Sequence, residues 1–389
     1  MNCLSFLFLL ILSINKSFSK PHKCTTDRVA FLDIQDDRQM VGDAFVIESK
    51  GKYAMIDVGY GLNSNNASFP SVKNYLDSNG ITQFEWLLMT HNHDDHIGGM
   101  KDFLKYYQVK KIYTKEYQGY DVSCNGIEID QCGNRNQKLA AWNDLIDTIK
   151  SKNITIEYVT KDFNKTIYLG HFRFNLFNTD HAFEKYADFC LKNGSCNENI
   201  NSIVAVARNR NRYYYFSADS ENYPADLVEA YDPNGIANWV ALTKEYYKID
   251  HYDVFKSSRH GFASNNMSEV YKEAKPDICV ISTKANKETK SKRADEDPVI
   301  PTEEVNQRPN SPGGRPNGQG GRPNFQGGAG GFPGGAGGGF SFGNPNEVRE
   351  NILSGNPNTE IYYTGAGTVE VLQNGSKIVV RQLEDFHTQ

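Results

Sequence analysis

The chain has 389 residues, of which 39% are hydrophobic and 12% aromatic; that is enough to bury a sizeable core and excludes a disordered chain. The length suits one large domain or two ordinary ones. A net charge of −5 gives no global attraction to nucleic acid or to anionic membranes, so a polyanionic substrate must find local basic groups or bound cations.

The first 19 residues carry an apolar run from Leu4 to Ile14, broken only by Ser5 and Ser13, and end in Ser17-Phe18-Ser19. This pattern predicts a signal peptide over residues 1–19, too short for a membrane span, which needs about 20 apolar residues. The mature chain, 20–389, is expected to be soluble and secreted, in the extracellular space or an endomembrane lumen. Cys24, Cys124, Cys132, Cys190, Cys196 and Cys279 form an even set suited to that compartment. Cys124/Cys132 and Cys190/Cys196 are close enough to staple local loops, leaving Cys24 for Cys279. Sequons at Asn66, Asn153, Asn164, Asn193, Asn266 and Asn374 would put those positions on the surface of a glycoprotein.

In chain order, Val29 to Asp33, Ala44 to Glu48 and Lys52 to Asp57 read as strands, and Phe69 to Asn79 has helical spacing. Trp86 to Met89 is a short buried strand, and Gly99 to Tyr107 is helical. Lys111 to Tyr113 (strand), Lys138 to Lys150 (helix) and Ile154 to Val159 (strand) continue the alternation. Phe172 to Phe177, Ser202 to Arg208 and Tyr213 to Ser217 are strands, the last two joined as a hairpin across Asn209-Arg210-Asn211. Asn346 to Leu353 is helical, and Glu360 to Tyr363, Val369 to Leu372 and Lys377 to Arg381 are strands. The pattern is that of sheets with helices on their outer faces. A stretch rich in Gly, Pro, Asn and Gln, placed at 304–344, carries Gly-Gly-Arg-Pro-Asn twice, from Gly313 and Gly320. It cannot bury enough apolar surface to offset its chain entropy, and reads as a disordered insertion within the 20–389 domain.

Thr90-His91-Asn92-His93-Asp94-Asp95-His96 runs out of a buried strand into a turn. Imidazole and carboxylate are the usual oxygen and nitrogen ligands of zinc and similar ions. His91 and His93, two apart in extended backbone, can grip one ion. Asp95 and His96 follow the bend and can face a second, with Gly98-Gly99 leaving room for a tight turn. Asp219 closes an aromatic strand and His260 follows the apolar Val254-Phe255; both are candidate ligands at strand ends.

These residues resemble the metallo-β-lactamase fold, and within it the hydrolase domain of the ComEC competence proteins. The likeness runs through Phe31-Leu32-Asp33-Ile34, Gly42-Asp43-Ala44, Met55-Ile56-Asp57-Val58-Gly59, Thr90 to Gly99, Asn201-Ser202-Ile203-Val204, Asp253-Val254-Phe255-Lys256 with His260-Gly261, and Thr364 to Val369. Ala218, Arg259 and Phe262 depart from the family's Gly, His and Ser. The resemblance implies a four-layer αββα sandwich with two divalent ions, zinc or manganese, where the sheets meet. Asp219 would bridge them, and His91, His93, Asp95, His96 and His260 would complete their shells. The expected third ligand of the first ion falls near Asn178, where His181 is the nearby histidine.

The implied chemistry is hydrolysis by a hydroxide held between the two ions. Asp57 and Asp94 would hold the turn and orient histidine N–H groups, and Arg259 would contact an anionic substrate. The resemblance points to a phosphodiesterase or nuclease acting on DNA or RNA, with Lys105, Lys110, Lys111, Arg208, Arg210 and Arg212 supplying backbone contacts. Small esters, lactones or β-lactams are the alternative substrates. A metal-poor surface-binding module is the alternative from another class.

Overall fold

The computed structural model describes residues 26–34, 42–62, 68–122, 124, 127, 131–180, 197–221, 235–283 and 345–383. The signal peptide, the 304–344 insertion, His181, Cys24, Cys190, Cys196 and the sequons at Asn66 and Asn193 lie outside them.

The first half carries strands β1 (Asp27–Phe31), β2 (Phe45–Ser49) and β3 (Lys52–Ile56), helix α1 (Phe69–Ser78), then β4 (Gln83–Phe84) and β5 (Trp86–Leu88). Helices α2 (Asp94–Ile97) and α3 (Met100–Tyr106) lead to β6 (Gln108–Val109), β7 (Lys111–Thr114), α4 (Gly133–Ser151) and β8 (Thr155–Tyr158). The second half supplies β9 (Ile167–Leu169), β10 (Phe172–Phe177), β11 (Val204–Asn209), β12 (Arg212–Phe216) and α5 (Gly235–Tyr247). It continues with β13 (Val254–Lys256), α6 (Ser268–Ala274), β14 (Ile278–Ile281), α7 (Pro345–Gly355), β15 (Glu360–Tyr363), β16 (Val369–Asn374) and β17 (Lys377–Gln382).

Strand alternation builds the layers. Along β1 to β3, Val29, Phe31, Phe45, Ile47, Ala54 and Ile56 face one apolar cluster. Ala30, Val46 and Met55 face another, packed under α1, α3 and α4. In β11, β12 and β14, Ala205, Tyr214, Phe216 and Val280 join the first cluster, while Val204, Tyr215 and Ile281 turn outward to the helices α5 to α7. Two sheets thus share one apolar slab and each is covered outside by helices, the αββα sandwich expected.

One large sheet has eight strands in the order β17-β16-β1-β2-β3-β5-β7-β8 and a second has seven in the order β15-β14-β13-β12-β11-β10-β9, while β4 and β6 form a separate parallel pair. The step from β3 to β5 is parallel, and so are β12 to β13 and β13 to β14. Carboxyl ends of parallel strands therefore gather at one edge of each sheet, the usual place for a site in such sheets. The β2–β3 hairpin turns on Lys50 (φ 55°) and Gly51 (φ 68°), the positive-φ pair of a tight two-residue connection.

Several expectations are corrected. The helix expected from Lys138 begins at Gly133, directly after Cys132. Strands β9 and β14 and helices α5 and α6 carry no prior assignment. Cys124 and Cys132 form the expected disulfide, but Cys279 is a free thiol. It sits on β14 at 0% exposure among the side chains under α6, where burial pushes its pKa up to about 12. Asn153, Asn164 and Asn374 are exposed, whereas Asn266 is buried and bonds to the Ser258 and Phe262 carbonyls. Its side chain has no room for a glycan. No helix among the described residues is long and apolar enough to cross a membrane.

Phe216 stands at the middle of the slab, 6.0 Å from the rings of both Phe31 and Phe45. Phe216→Ala is expected to cost about 3–5 kcal/mol in urea unfolding, as for other buried aromatic truncations; a loss below about 1 kcal/mol would show that the two sheets do not pack through it.

Candidate metal centre

The histidine segment begins where β5 ends. Thr90 is fixed by Asp57, whose Oδ1 accepts from the Thr90 backbone N–H at 2.9 Å and whose Oδ2 accepts from the hydroxyl at 2.6 Å. His93 is extended (φ −114°, ψ 148°) and its carbonyl accepts from the His96 and Ile97 N–H groups, opening α2. The turn lies close on its neighbours. The Gly99 N–H donates to the Gly59 carbonyl at 2.7 Å, and a Cβ on Gly42 would stand 2.6 Å from the Asp95 carbonyl oxygen. The glycine here serves close approach.

Two histidines are held from behind by buried carboxylates. His96 Nδ1 lies 2.7 Å from Asp57 Oδ2. His260 Nδ1 lies 3.4 Å from Asp43 Oδ1, with the Ser282 hydroxyl between them, 3.3 Å from the imidazole and 2.5 Å from the carboxylate. Asp43 is neutralised in turn by Lys256 at 2.5 Å, both side chains at 0% exposure. A carboxylate on Nδ1 leaves Nε2 as the free face of each ring.

Those faces converge. His260 Nε2 lies 3.2 Å from both Asp95 Oδ2 and Asp219 Oδ2; His96 Nε2 lies 3.2 Å from Asp219 Oδ1 and 3.9 Å from Asp95 Oδ2. Burial disfavours charge on both rings, yet the surrounding carboxylates win. Asp219, Asp95 and Asp57 hold His96 well above the ordinary imidazole range, and Asp219 with Asp43 raises His260 to about 10. The pocket is an attractor for positive charge, proton or metal cation alike.

His91 and His93 form the other wall. His91 Nε2 faces His93 Nδ1 at 3.0 Å, and the His91 and His96 ring centroids are 4.2 Å apart. Burial lowers the pKa of both His91 and His93, leaving neutral imidazoles with lone pairs available to a cation.

The geometry accepts a metal. His96 Nε2 and Asp219 Oδ1 are buried with no partner but each other, at 3.2 Å, and a coordinated cation would satisfy both atoms at once. Asp43, His96, Asp219 and His260 offer donor atoms within 4.8 Å of one another. With its carboxylate taken up by Lys256 and Ser282, Asp43 is read as the support of His260 rather than as a ligand. The motif Gly42-Asp43-Ala44 was visible in the sequence, but its role was not; nor were those of Lys256 and Ser282.

Other expected residues fall elsewhere. Asp94 is exposed at the start of α2, and no hydrogen bond between it and a histidine is present among the described residues. Its charge suits the positive end of the helix instead. Asn178, at the expected third-ligand position, is 5% exposed and donates to the Ile200 and Ser202 carbonyls, so it is committed to structure. Arg259 lies beside His260 in a run of positive φ (42° and 51°, with Gly261 at 85°). It pairs with Glu221 and stacks 5.0 Å above the Phe262 ring. The basic groups assigned to a polyanion are largely engaged or remote. Lys105, Lys110 and Lys111 pair with Asp102, Glu85 and Glu157. Arg208, Arg210 and Arg212 lie at the end of β11 and the start of β12, the opposite end of that sheet from Asp219.

Residues 37–122 match the family model described as the metallo-beta-lactamase superfamily, a superfamily of enzymes that generally hydrolyse their substrates and bind divalent metals. This segment holds His91, His93, Asp95 and His96. No curated protein matches the chain by sequence. Among solved structures, the chain is similar to the metallo-beta-lactamase fold protein YhfI from Bacillus subtilis, at 11% identity over 66% of this chain and 85% of that one, with a TM-score of 0.37. It is similar to a diphosphatase of the PhnP family at 12% identity, covering 66% and 86%, TM-score 0.33. It is also similar to CmlA, a diiron beta-hydroxylase from Streptomyces venezuelae, at 13% identity, covering 66% of this chain and 44% of that one, TM-score 0.33.

Asp57→Asn removes the carboxylate behind His96 and is expected to weaken metal affinity about 10–100-fold, measured by titration with zinc and a competing chelator; Asp94→Asn should leave it unchanged. Equal effects from the two would mean that Asp57 does not orient the ring. A second test uses Glu198, in the turn beside Asn199 and Glu221. Burial, reinforced by Asp121, raises its carboxyl from 4.5 to about 8. The folded chain thus holds this proton more tightly than the unfolded one, giving stability that is full below about pH 4.5 and lost as pH rises through about 8. Glu198→Gln should flatten urea midpoints between pH 5 and 9, and an unchanged slope would refute the buried neutral carboxyl.

Proposed function

We propose that the chain is a secreted, metal-dependent phosphodiesterase acting on nucleic acid. The observation that carries the hydrolase reading is the convergence of His96 Nε2, His260 Nε2, Asp95 and Asp219 on one buried point. His91 and His93 supply a second set of neutral imidazoles alongside. Two divalent ions, zinc or manganese, fit these donors, with Asp219 facing both sets. Bound there, such ions supply Lewis acidity and lower the pKa of water toward neutrality.

The chain's own residues do the rest. Asp57 and Asp43 hold the Nδ1 faces of His96 and His260 and fix the direction of each Nε2. Lys256 compensates the Asp43 charge at 2.5 Å, so one negative charge fewer competes for the centre. Arg259 spends one Nη1 on Glu221, and its remaining N–H donors can take a phosphate oxygen at the rim. Support for the phosphodiester comes from this guanidinium beside the centre and from the resemblance of the motifs to the ComEC hydrolase domain. The signal-like segment 1–19 and the Cys124–Cys132 disulfide support secretion into an oxidising compartment.

Metal-loaded protein is to be incubated with single- and double-stranded DNA, RNA, bis-p-nitrophenyl phosphate and nitrocefin. Phosphodiester cleavage is expected, to be abolished by chelator and reduced at least about a thousandfold, equivalent to about 4 kcal/mol, by His93→Ala or Asp219→Ala. Turnover of nitrocefin or a lactone with intact nucleic acid would replace this substrate class. Less than about one metal per chain and no turnover would favour a binding module.

A further inference from the structure

The outer face of the seven-stranded sheet carries a row of side chains that the hydrolytic centre does not use. The registers place Tyr168 of β9 opposite Arg173 of β10, Arg173 opposite Arg208 of β11, and Arg208 opposite Tyr213 of β12. Ring, guanidinium, guanidinium and ring thus stand side by side across four strands, a span of about 14 Å at normal strand spacing. Helix α5 covers this face only as far as Tyr247, whose hydroxyl donates to Asn175 Oδ1 one outward position beyond Arg173. Tyr213 is half-buried, its ring 5.4 Å from that of Tyr247; past it the row is open, with Tyr168 63% exposed and Arg173 and Arg208 exposed.

Like charges directly opposite on neighbouring strands repel, and no carboxylate among the described residues offsets them. Among the described residues no carboxylate forms an ion pair with Arg173, Arg208 or the adjacent Arg210, although lysines elsewhere on this net-acidic chain are paired. Arg208 is held in the row by its own contacts, with Nε donating to the Arg210 carbonyl at 2.7 Å and the guanidinium 5.7 Å from the Tyr213 ring.

We propose that this row is a binding strip for single-stranded nucleic acid, separate from the hydrolytic centre. A phosphate accepts from the two guanidinium groups and so relieves their repulsion; a flanking base stacks on the exposed Tyr168 ring, as bases do on aromatic platforms in single-strand-binding proteins, while Tyr213 backs the Arg208 guanidinium. A sulfated sugar chain satisfies the arginines but not the ring. A bilayer would need apolar residues beside them, which the row lacks. From Tyr213 to Asp219 is roughly 15–20 Å of extended strand and turn, so the strip holds a polymer at a distance from the centre rather than touching the reacting group. The inference rests on the nuclease reading for its purpose, but its test reads binding.

Full-length metal-loaded protein is to be titrated against a fluorescent, phosphorothioate-linked oligo-dT 12-mer, with anisotropy read at several salt concentrations. Arg173→Glu with Arg208→Glu should weaken binding at least about tenfold and flatten the salt dependence, and Tyr168→Ala should weaken it about fivefold or more. Arg173→Gln with Arg208→Gln serves as a milder pair at these exposed positions. Hydrolysis of bis-p-nitrophenyl phosphate should not change in any of them. Unchanged oligonucleotide affinity in the double variants would overturn the strip even if turnover is intact. Equal capture of heparin with no effect of Tyr168→Ala would reassign it to a sulfated polymer. Loss of bis-p-nitrophenyl phosphate turnover in wild type, with oligonucleotide binding retained, would instead count against the phosphodiesterase reading and leave the strip standing.

Discussion

The centre depends on one buried carboxylate, that of Asp57. It sits in left-handed backbone (φ 53°) at the end of β3, its N–H donating to the Leu88 carbonyl of the neighbouring strand. Its two oxygens take the Thr90 N–H, the Thr90 hydroxyl and His96 Nδ1. A charge buried this deeply is tolerated only when each lone pair is used. Here the partners that satisfy it are also those that set the histidine segment leaving β5 and the direction of His96 Nε2. Stability of the strand ends and aim of the ring are the same set of bonds.

Asp43, just before β2 of the same sheet, has the corresponding task for His260 of the other sheet, but its solution differs. A lysine from β13 and a serine after β14 complete its shell, so three separate segments meet behind one imidazole. This arrangement ties the two sheets together by polar contacts exactly where the apolar slab ends, and it leaves the solvent-facing side of each ring for a cation. The run of positive φ from Arg259 to Gly261 is the local strain by which the chain after β13 turns His260 back over the sheet edge.

Much of this was legible in the sequence because the physics there is local. Three histidines and two aspartates within six residues leave few bland readings, and the short apolar and aromatic runs of β1 to β3 and of β10 to β12 read as strands. What stayed hidden is set by tertiary position. Asp94 and Asp95 are chemically alike and adjacent, yet the first turn of α2 exposes one and aims the other at His260. Lys256 reads as an ordinary strand-end lysine until Asp43, more than two hundred residues earlier, is found against it. The basic groups Lys105, Lys110 and Lys111 could not be told from substrate contacts without their acidic partners. Strands β9 and β14 are short, and β14 is apolar throughout, so periodicity had little to act on.

The order of strands also constrains how the molecule can be made. β1 pairs on one side with β2 and on the other with β16, joining Asp27–Phe31 to Val369–Gln373. A chain emerging residue by residue from a ribosome can close the β1–β2–β3 meander early, but one edge of β1 stays open until β16, more than three hundred residues later, is available. Long-range pairing of this kind is slow, and an open apolar edge is the sort of surface that neighbouring chains join. Completion of this sheet therefore waits on β16: until it arrives, the open edge of β1 depends on whatever shields it where the chain folds.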